Sequence, residues 1–140
     1  MSLAFSKLTL SVRLKRLKLE NEFQQLKAEG LQFAADQKWS DAKVKLNAAL
    51  GIHSDVLVSQ KLKEVEEAEK RDAALSQNES DYQKLLTEAK AFEAVNKWDE
   101  AIAKYNDAQQ KKPSEQEPKE KISELQKLKL NKAKQDEIDA

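Results

Sequence analysis

The sequence predicts an all-α fold, a helical-repeat array of two antiparallel helix hairpins with long intervening and C-terminal helices. The first observation is composition, because the chain has only two Gly and two Pro in 140 residues and is 36% charged. Such a composition favours helix throughout. The second is that one hairpin pattern occurs twice, 59 residues apart. The third is that strand signals are few, and no Asn-Gly or Asp-Gly hairpin turn occurs.

The repeat consists of small and bulky residues that keep a fixed spacing. A small residue, an aromatic residue, a Trp and an Ala follow one another in the same order in both copies. Fixed spacing of this kind is typical of stacked helical arrays, in which each position packs against the same neighbours. The predicted packing residues are Leu26, Gly30, Phe33, Trp39, Ala42, Leu46 and Ala49 in the first copy, and Leu85, Ala89, Phe92, Trp98, Ala101, Tyr105, Ala108 and Pro113 in the second.

Residues 20–78 form the first predicted repeat. Apolar residues spaced three and four apart predict helix A over residues 20–36. Gln37 and Lys38 make the turn, and helix B runs from Trp39 to Leu50. Gly51 fits the left-handed residue that ends many helices. A third, more charged helix is predicted over residues 55–75.

Residues 79–140 form the second predicted repeat, in which Pro113 stops helix B. A third helix is predicted over residues 115–138, with Ser114 to Glu117 as a capping box. No Gly or Pro lies between His53 and Lys112. We therefore expect residues 55–95 to form one continuous helix, and a break at residues 76–80 is the competing interpretation.

Residues 1–19 carry two conflicting patterns. Apolar residues alternate with polar ones from Leu8 to Leu14, as in a strand, but no partner strand is predicted elsewhere. Read as a helix, the stretch has apolar stripes on opposite sides. We predict an N-terminal helix buried on two sides, as the end of a preceding repeat or partly derived from an expression vector. Its basic residues are interpreted as a solvated face, with binding to acidic lipid or nucleic acid as the alternative; they are Lys7, Arg13, Lys15, Arg16 and Lys18.

Composition also restricts which partners, cofactors and activities the chain can be expected to have. Lys plus Arg and Asp plus Glu are equal at 25 each, which predicts no nucleic-acid partner, and no apolar run reaches the roughly 20 residues that would insert into a membrane. There is no Cys, and His53 is the only histidine, so we expect no metal site, cofactor or catalytic residue, and the chain is not predicted to be an enzyme. His53 follows helix B and is expected to be exposed or to cap that helix. Trp39 and Trp98 are expected to pack over the hairpin turns.

The hairpin residues resemble those of the tetratricopeptide repeat (TPR) family. Five family positions are matched in the first copy and six in the second, including Pro113. Glu29 and Glu88 depart from the family by standing where an apolar residue is usual, and Ser54 stands where Pro is expected. The period of 59 also exceeds the family's roughly 34 residues. Extended repeats of this kind resemble those of some large bacterial proteins, many of them associated with the cell envelope.

The resemblance implies a non-enzymatic scaffold that binds a partner protein or peptide on the concave face of its A helices. The residues expected to be exposed on this face are Gln24, Lys27, Leu31, Ala34, Gln83, Leu86, Lys90 and Glu93. Some TPR proteins grip a terminal carboxylate with Lys and Asn, but Leu31 stands where that Asn is needed. The alternative function is a structural spacer in a larger repeat protein without a specific ligand. The sequence leaves open the partner, self-association, and a cytoplasmic or envelope location.

Overall fold

The computed structural model describes residues 3–140, with side chains from Lys7 onward, and these residues form helices and no strand. The predicted all-α class is therefore confirmed. The chain divides into two compact units, Met1–Asp72 and Ala73–Ala140, called the first and second unit below. The helices are α1 (Leu3–Ala35), α2 (Trp39–Ile52), α3 (Val56–Ala94), α4 (Trp98–Lys111) and α5 (Glu117–Asp139).

Helix α1 joins two segments that the sequence pattern separates. The predicted N-terminal helix is confirmed as helical, but it continues without interruption into helix A. α1 ends at Ala35 because Gln37 adopts a left-handed conformation with φ of 59°. The Lys38 N–H then donates to the Phe33 carbonyl at 2.9 Å, and the Gln37 N–H donates to Ala34 at 3.1 Å. These two bonds satisfy carbonyl groups that the end of the helix would leave unpaired.

The end of α3 repeats this turn. Asn96 has a φ of 58°, and the Lys97 N–H donates to the Phe92 carbonyl at 2.9 Å. α3 itself is helical through residues 76–80, so the predicted continuity is confirmed and the competing break is wrong. Ser, Gln and Asn weaken helix propensity there by only a few tenths of a kcal/mol each, which is not enough to open a helix.

The first unit has an apolar core between α1, α2 and the beginning of α3. Its buried residues are Phe23, Ala42, Leu46, Ala49, Val58 and Val65. Gly30 allows the closest approach, since a Cβ built there would lie 2.7 Å from Leu46 Cδ2. Asp55 begins α3 by accepting a hydrogen bond from the Val58 N–H at 2.9 Å. That bond is the main cause of the lowered pKa of the Asp55 carboxyl.

The second unit has an equivalent core in which some residues are larger. It buries Tyr82, Leu86, Ala89, Ala101, Tyr105, Ala108 and Leu125. Tyr105 stands where the first unit has Leu46, and its hydroxyl donates to Glu93 Oε2 at 2.8 Å. Burial, followed by this hydrogen bond, raises the pKa of the Tyr105 hydroxyl.

Two predicted helix ends are wrong. Gly51 lies inside α2, which extends to Ile52, and no glycine has a positive φ in the described residues. The chain leaves α2 through His53 in extended backbone (φ −158°), so no left-handed residue is needed. The predicted capping box is also absent, since α5 starts at Glu117 with Gln116 as a cap that makes no side-chain bond.

Candidate partner-binding groove

An open groove lies in the first unit between the C-terminal part of α1 and the N-terminal half of α3. Its floor is apolar, and its rim carries two basic and two acidic side chains. The groove has a volume of about 600 Å³, large enough for several side chains of a bound segment. The apolar lining is Leu31, Ala34, Ala35, Trp39, Val65 and Ala68, and the rim is Lys61, Glu64, Glu67 and Arg71.

Hydrogen bonds fix one end of the groove, and two of its four rim charges pair with each other while the other two form no ion pair. Trp39 Nε1 donates to Asp72 Oδ2 at 2.7 Å, which holds the indole against α3. Lys61 Nζ pairs with Glu64 at 2.6 Å along the same helix. Glu67 and Arg71 form no ion pair with any other residue that the structure describes. An apolar floor beside free charges of both signs suits a segment with apolar side chains and polar groups at its edges.

The matching place in the second unit is bridged by polar side chains. Glu93 stands at the position of Ala34 and accepts bonds from the Tyr105 hydroxyl and, at 3.2 Å, from Lys121 Nζ. Lys90 pairs with Glu117 at 3.0 Å across the same two helices. The hydrogen bond to Glu93 raises the pKa of Lys121. A ligand would have to break these bonds to enter, which makes the first unit the better site.

The structure places some of the predicted binding residues at the groove and others away from it. Only Leu31, which is 38% exposed, and Ala34 line the groove. Lys27 instead pairs with Asp55 at 3.4 Å. Gln24 and Gln83 are exposed, and each donates a hydrogen bond along its own helix.

The prediction that Leu86 is exposed is wrong. Leu86 is 4% exposed and belongs to the core of the second unit. It follows Tyr82 by four residues and precedes Ala89 by three, so all three share one helix stripe. The TPR-derived position numbering assigned Leu86 to the groove, although the helical spacing alone places it with these core residues.

The predicted burial of the N-terminal helix on two sides is also wrong for the side chains that the structure describes. Large apolar residues from Leu8 to Leu19 are 48–64% exposed. The five basic residues between Lys7 and Lys18 are exposed as well, and a shallow depression is lined by Leu8, Thr9, Val12, Arg13 and Arg16. Residues 1 and 2 and the side chains of residues 3–6, on which part of that prediction falls, lie outside the described set.

In both units, the side chain of the residue that follows helix B lies on an aromatic ring of helix A and beside a glutamate. The sequence interpretation did not predict this contact. His53 is exposed and caps α2 as predicted, but its ring also stacks on Phe23 at 3.7 Å, and its Nε2 lies 3.2 Å from Glu20. In the second unit Lys112 lies 5.0 Å above the Tyr82 ring and 2.5 Å from Glu79. The 59-residue offset matches all three residues of each cluster and was the available signal.

The described part of the chain has neither a group of metal ligands nor a membrane-spanning helix. Residues 3–140 contain no group of three or more His, Cys, Asp or Glu side chains placed to hold a metal ion. None of the helices there is long and apolar enough to cross a membrane. No family model, curated protein or solved structure matches the chain.

Proposed function

We propose that the chain is a non-enzymatic, TPR-like repeat scaffold that binds a partner protein or peptide in the groove of the first unit. The observation that carries the repeat assignment is matched burial at a constant offset. Phe23, Ala42 and Ala49 are buried in the first unit, and the residues 59 positions later are buried in the second. Equal burial at equal spacing is what repeated helix pairs produce.

The departures from the TPR pattern have a local physical reason that is compatible with the proposal. Glu29 pairs with Lys45 at 2.8 Å, and Glu88 pairs with Lys104 at the same distance. Each pair joins helix A to helix B on the outside of the hairpin. The hydrogen bond from the lysine lowers the pKa of each glutamate. An ion pair at this position replaces the apolar contact that is usual in the family.

The groove supports binding because it joins residues from two helices on an open apolar floor. Leu31 and Ala34 come from α1, while Val65 and Ala68 come from α3. Concave surfaces between successive helices are where repeat arrays usually hold their partners. The expected ligand is a short peptide segment that inserts two or three apolar side chains and meets Glu67 and Arg71 at the edges.

Selection of displayed peptides on the full chain tests this proposal. We expect selected peptides to bind the wild-type chain at least about tenfold more tightly than a Leu31→Asp variant, because the charge would be desolvated on binding. Val44→Asp is the matched control, since Val44 is an exposed apolar residue outside the groove. Peptides that bind the wild-type chain and the Leu31→Asp variant equally well would place the site elsewhere.

The alternative is a structural spacer without a ligand. The 39-residue uninterrupted helix α3 is the observation that favours it, because a long helix sets a distance between what it connects. Under this alternative the selection enriches no peptide that is sensitive to Leu31→Asp.

A further inference from the structure

The N-terminal stretch of α1, residues 7–19, carries apolar surface that nothing in the described structure covers. Six large apolar side chains within twelve residues are about half exposed or more. Contiguous exposed apolar surface on this scale marks an interaction site more often than scattered single residues do. These side chains are Leu8, Leu10, Val12, Leu14, Leu17 and Leu19.

The arrangement of these side chains indicates what covers them. At 100° per residue, Leu10, Leu14 and Leu17 form one stripe, and Leu8, Val12 and Leu19 form a stripe on the opposite side. A helix that lies on a lipid surface has a single apolar face, so a membrane would leave one stripe in water. Protein helices that pack from both sides can cover both stripes.

The charge of the stretch further restricts the class of partner that can bind it. Residues 3–19 contain five basic side chains and no acidic one, although the whole chain is neutral. Two copies of this stretch would repel each other if they paired side by side. A partner with acidic groups beside its apolar face would instead be attracted.

The second unit shows what a basic, leucine-containing segment contacts in this molecule: residues 127–134 of α5 hold four Lys and no acidic side chain. Lys129 of α5 pairs with Asp99, in the first turn of α4. Lys132 lies 5.8 Å above the ring of Trp98, the first residue of α4. A Trp followed by acidic residues is therefore the surface that this basic segment contacts.

The first unit has the opposite signs at these positions. Glu69 of α3 pairs with Lys43 of α2 and also accepts a hydrogen bond from Ser40. Asp72 accepts the hydrogen bond from Trp39. The ion pair between the third helix and helix B thus has opposite polarity in the two units.

We propose that the N-terminal stretch docks a helical partner whose contact face combines a Trp with acidic residues in its first turn, as α4 does. This surface is separate from the groove of the first unit, so the inference goes beyond the proposed function. The basic side chains pair with the acidic turn while one leucine stripe packs on the partner's apolar side chains. A second helix of the partner covers the opposite stripe.

Two helical peptides based on the chain's own sequence provide the test. One is a hydrocarbon-stapled, fluorescein-labelled peptide of residues 95–112, which contains the α4 surface. The matched probe is the same peptide with Asp99→Lys/Glu100→Lys, which reverses the charge of the acidic first turn and leaves the apolar side chains unchanged. Fluorescence anisotropy with the full chain should show about tenfold tighter binding of the α4 peptide, a difference that shrinks as salt rises. Equal binding, or none to either peptide, would overturn the proposal.

Variants locate the binding surface. Leu10→Ser/Leu14→Ser/Leu17→Ser should remove α4-peptide binding without loss of helix by circular dichroism, because all three leucines are exposed. Leu128→Ser/Leu130→Ser, which changes exposed leucines on α5, is the control and should retain binding. Binding that survives the triple substitution contradicts the proposal. So does co-sedimentation with vesicles of phosphatidylcholine and phosphatidylglycerol in the absence of peptide binding, which would identify a lipid surface instead. Leu31→Asp should leave α4-peptide binding unchanged, which separates this test from that of the groove.

Discussion

The first and second units bury corresponding residues but differ in the charges that surround them. Ala42 and Ala101 are fully buried at one position, and Ala49 and Ala108 at another. Outside the core, Glu69 of the third helix pairs with Lys43 of helix B in the first unit, whereas Lys129 of the third helix pairs with Asp99 of helix B in the second. Close packing fixes the size of buried residues, whereas an exposed ion pair requires only that its two members have opposite sign.

A second difference concerns the surface of helix A. Position 27 is a Lys that pairs with Asp55, and the matching position 86 is a buried Leu. Position 34 is an Ala that opens the groove, and the matching Glu93 bridges to Tyr105 and Lys121. The first unit therefore leaves space where the second is filled, which is why only the first is proposed to bind a ligand.

Alanine substitution at positions 27 and 86 tests this comparison with the largest expected effect. Leu86→Ala should destabilise the second unit by about 2–4 kcal/mol, since it removes buried methyl groups and leaves a cavity. Lys27→Ala should change the stability of the first unit much less, because it removes one partly exposed ion pair. Urea unfolding measures both, with a Trp98→Phe background to observe the first unit and Trp39→Phe to observe the second. Similar losses in the two units would show that Leu86 is not part of the core.

The repeat and the core could be predicted from sequence because they depend on residue size and spacing. The small residues Gly30, Ala42 and Ala101 lie where two helices approach closely, so their identity is informative. The helix ends were less predictable. Gln37 and Asn96 adopt left-handed turns that are usually assigned to glycine, while Gly51 remains helical.

The candidate site could be predicted only in part. Leu31 and Ala34 were assigned to the binding face, but the opening of the groove depends on residues of α3 such as Val65 and Arg71. The periodicity of one helix shows which of its faces is apolar, but it does not show which other helix packs opposite Leu31. The exposure of Leu8 to Leu19 was missed for the same reason, since the apolar stripes indicate burial without indicating by what.

Charge reversal at the contact between helix B and the third helix is expected to have a smaller effect. Glu69→Lys/Asp72→Lys should lower the melting temperature of the first unit by a few degrees, roughly 2–4 °C, because Lys43 would then face like charges. Adding Lys43→Glu should restore much of the loss. Lys129→Glu with Asp99→Lys as its rescue is the matched pair in the second unit. Both effects should shrink at high salt. If neither rescue restores the lost stability, these ion pairs do not contribute to the contact between helix B and the third helix.

The smallest effect is expected from pH, at the contact between the end of helix B and helix A. His53 Nε2 lies 3.2 Å from Glu20, and Lys27 lies over the same Phe23 ring. The hydrogen bond from Gln24, and then the charge of His53, lower the pKa of Glu20, so this carboxylate stays ionised until the pH falls below its ordinary range near 4.5.

The sign of the pH effect follows from the lowered pKa of Glu20. A carboxyl whose pKa is lowered by folding stabilises the folded state while it is ionised, so the first unit should lose stability as the pH falls through and below the ordinary range of Glu20. The second unit should lose stability in the same direction, because hydrogen bonds from Lys112 and Gln83 lower the pKa of Glu79. Melting curves of the single-Trp backgrounds measure both losses, each of which should be one or two degrees, on the order of an exposed ion pair. Glu20→Gln should reduce the acid sensitivity of the first unit, and Glu79→Gln should reduce that of the second. An acid sensitivity that neither substitution changes would assign it to other groups and remove the equivalence of the two contacts.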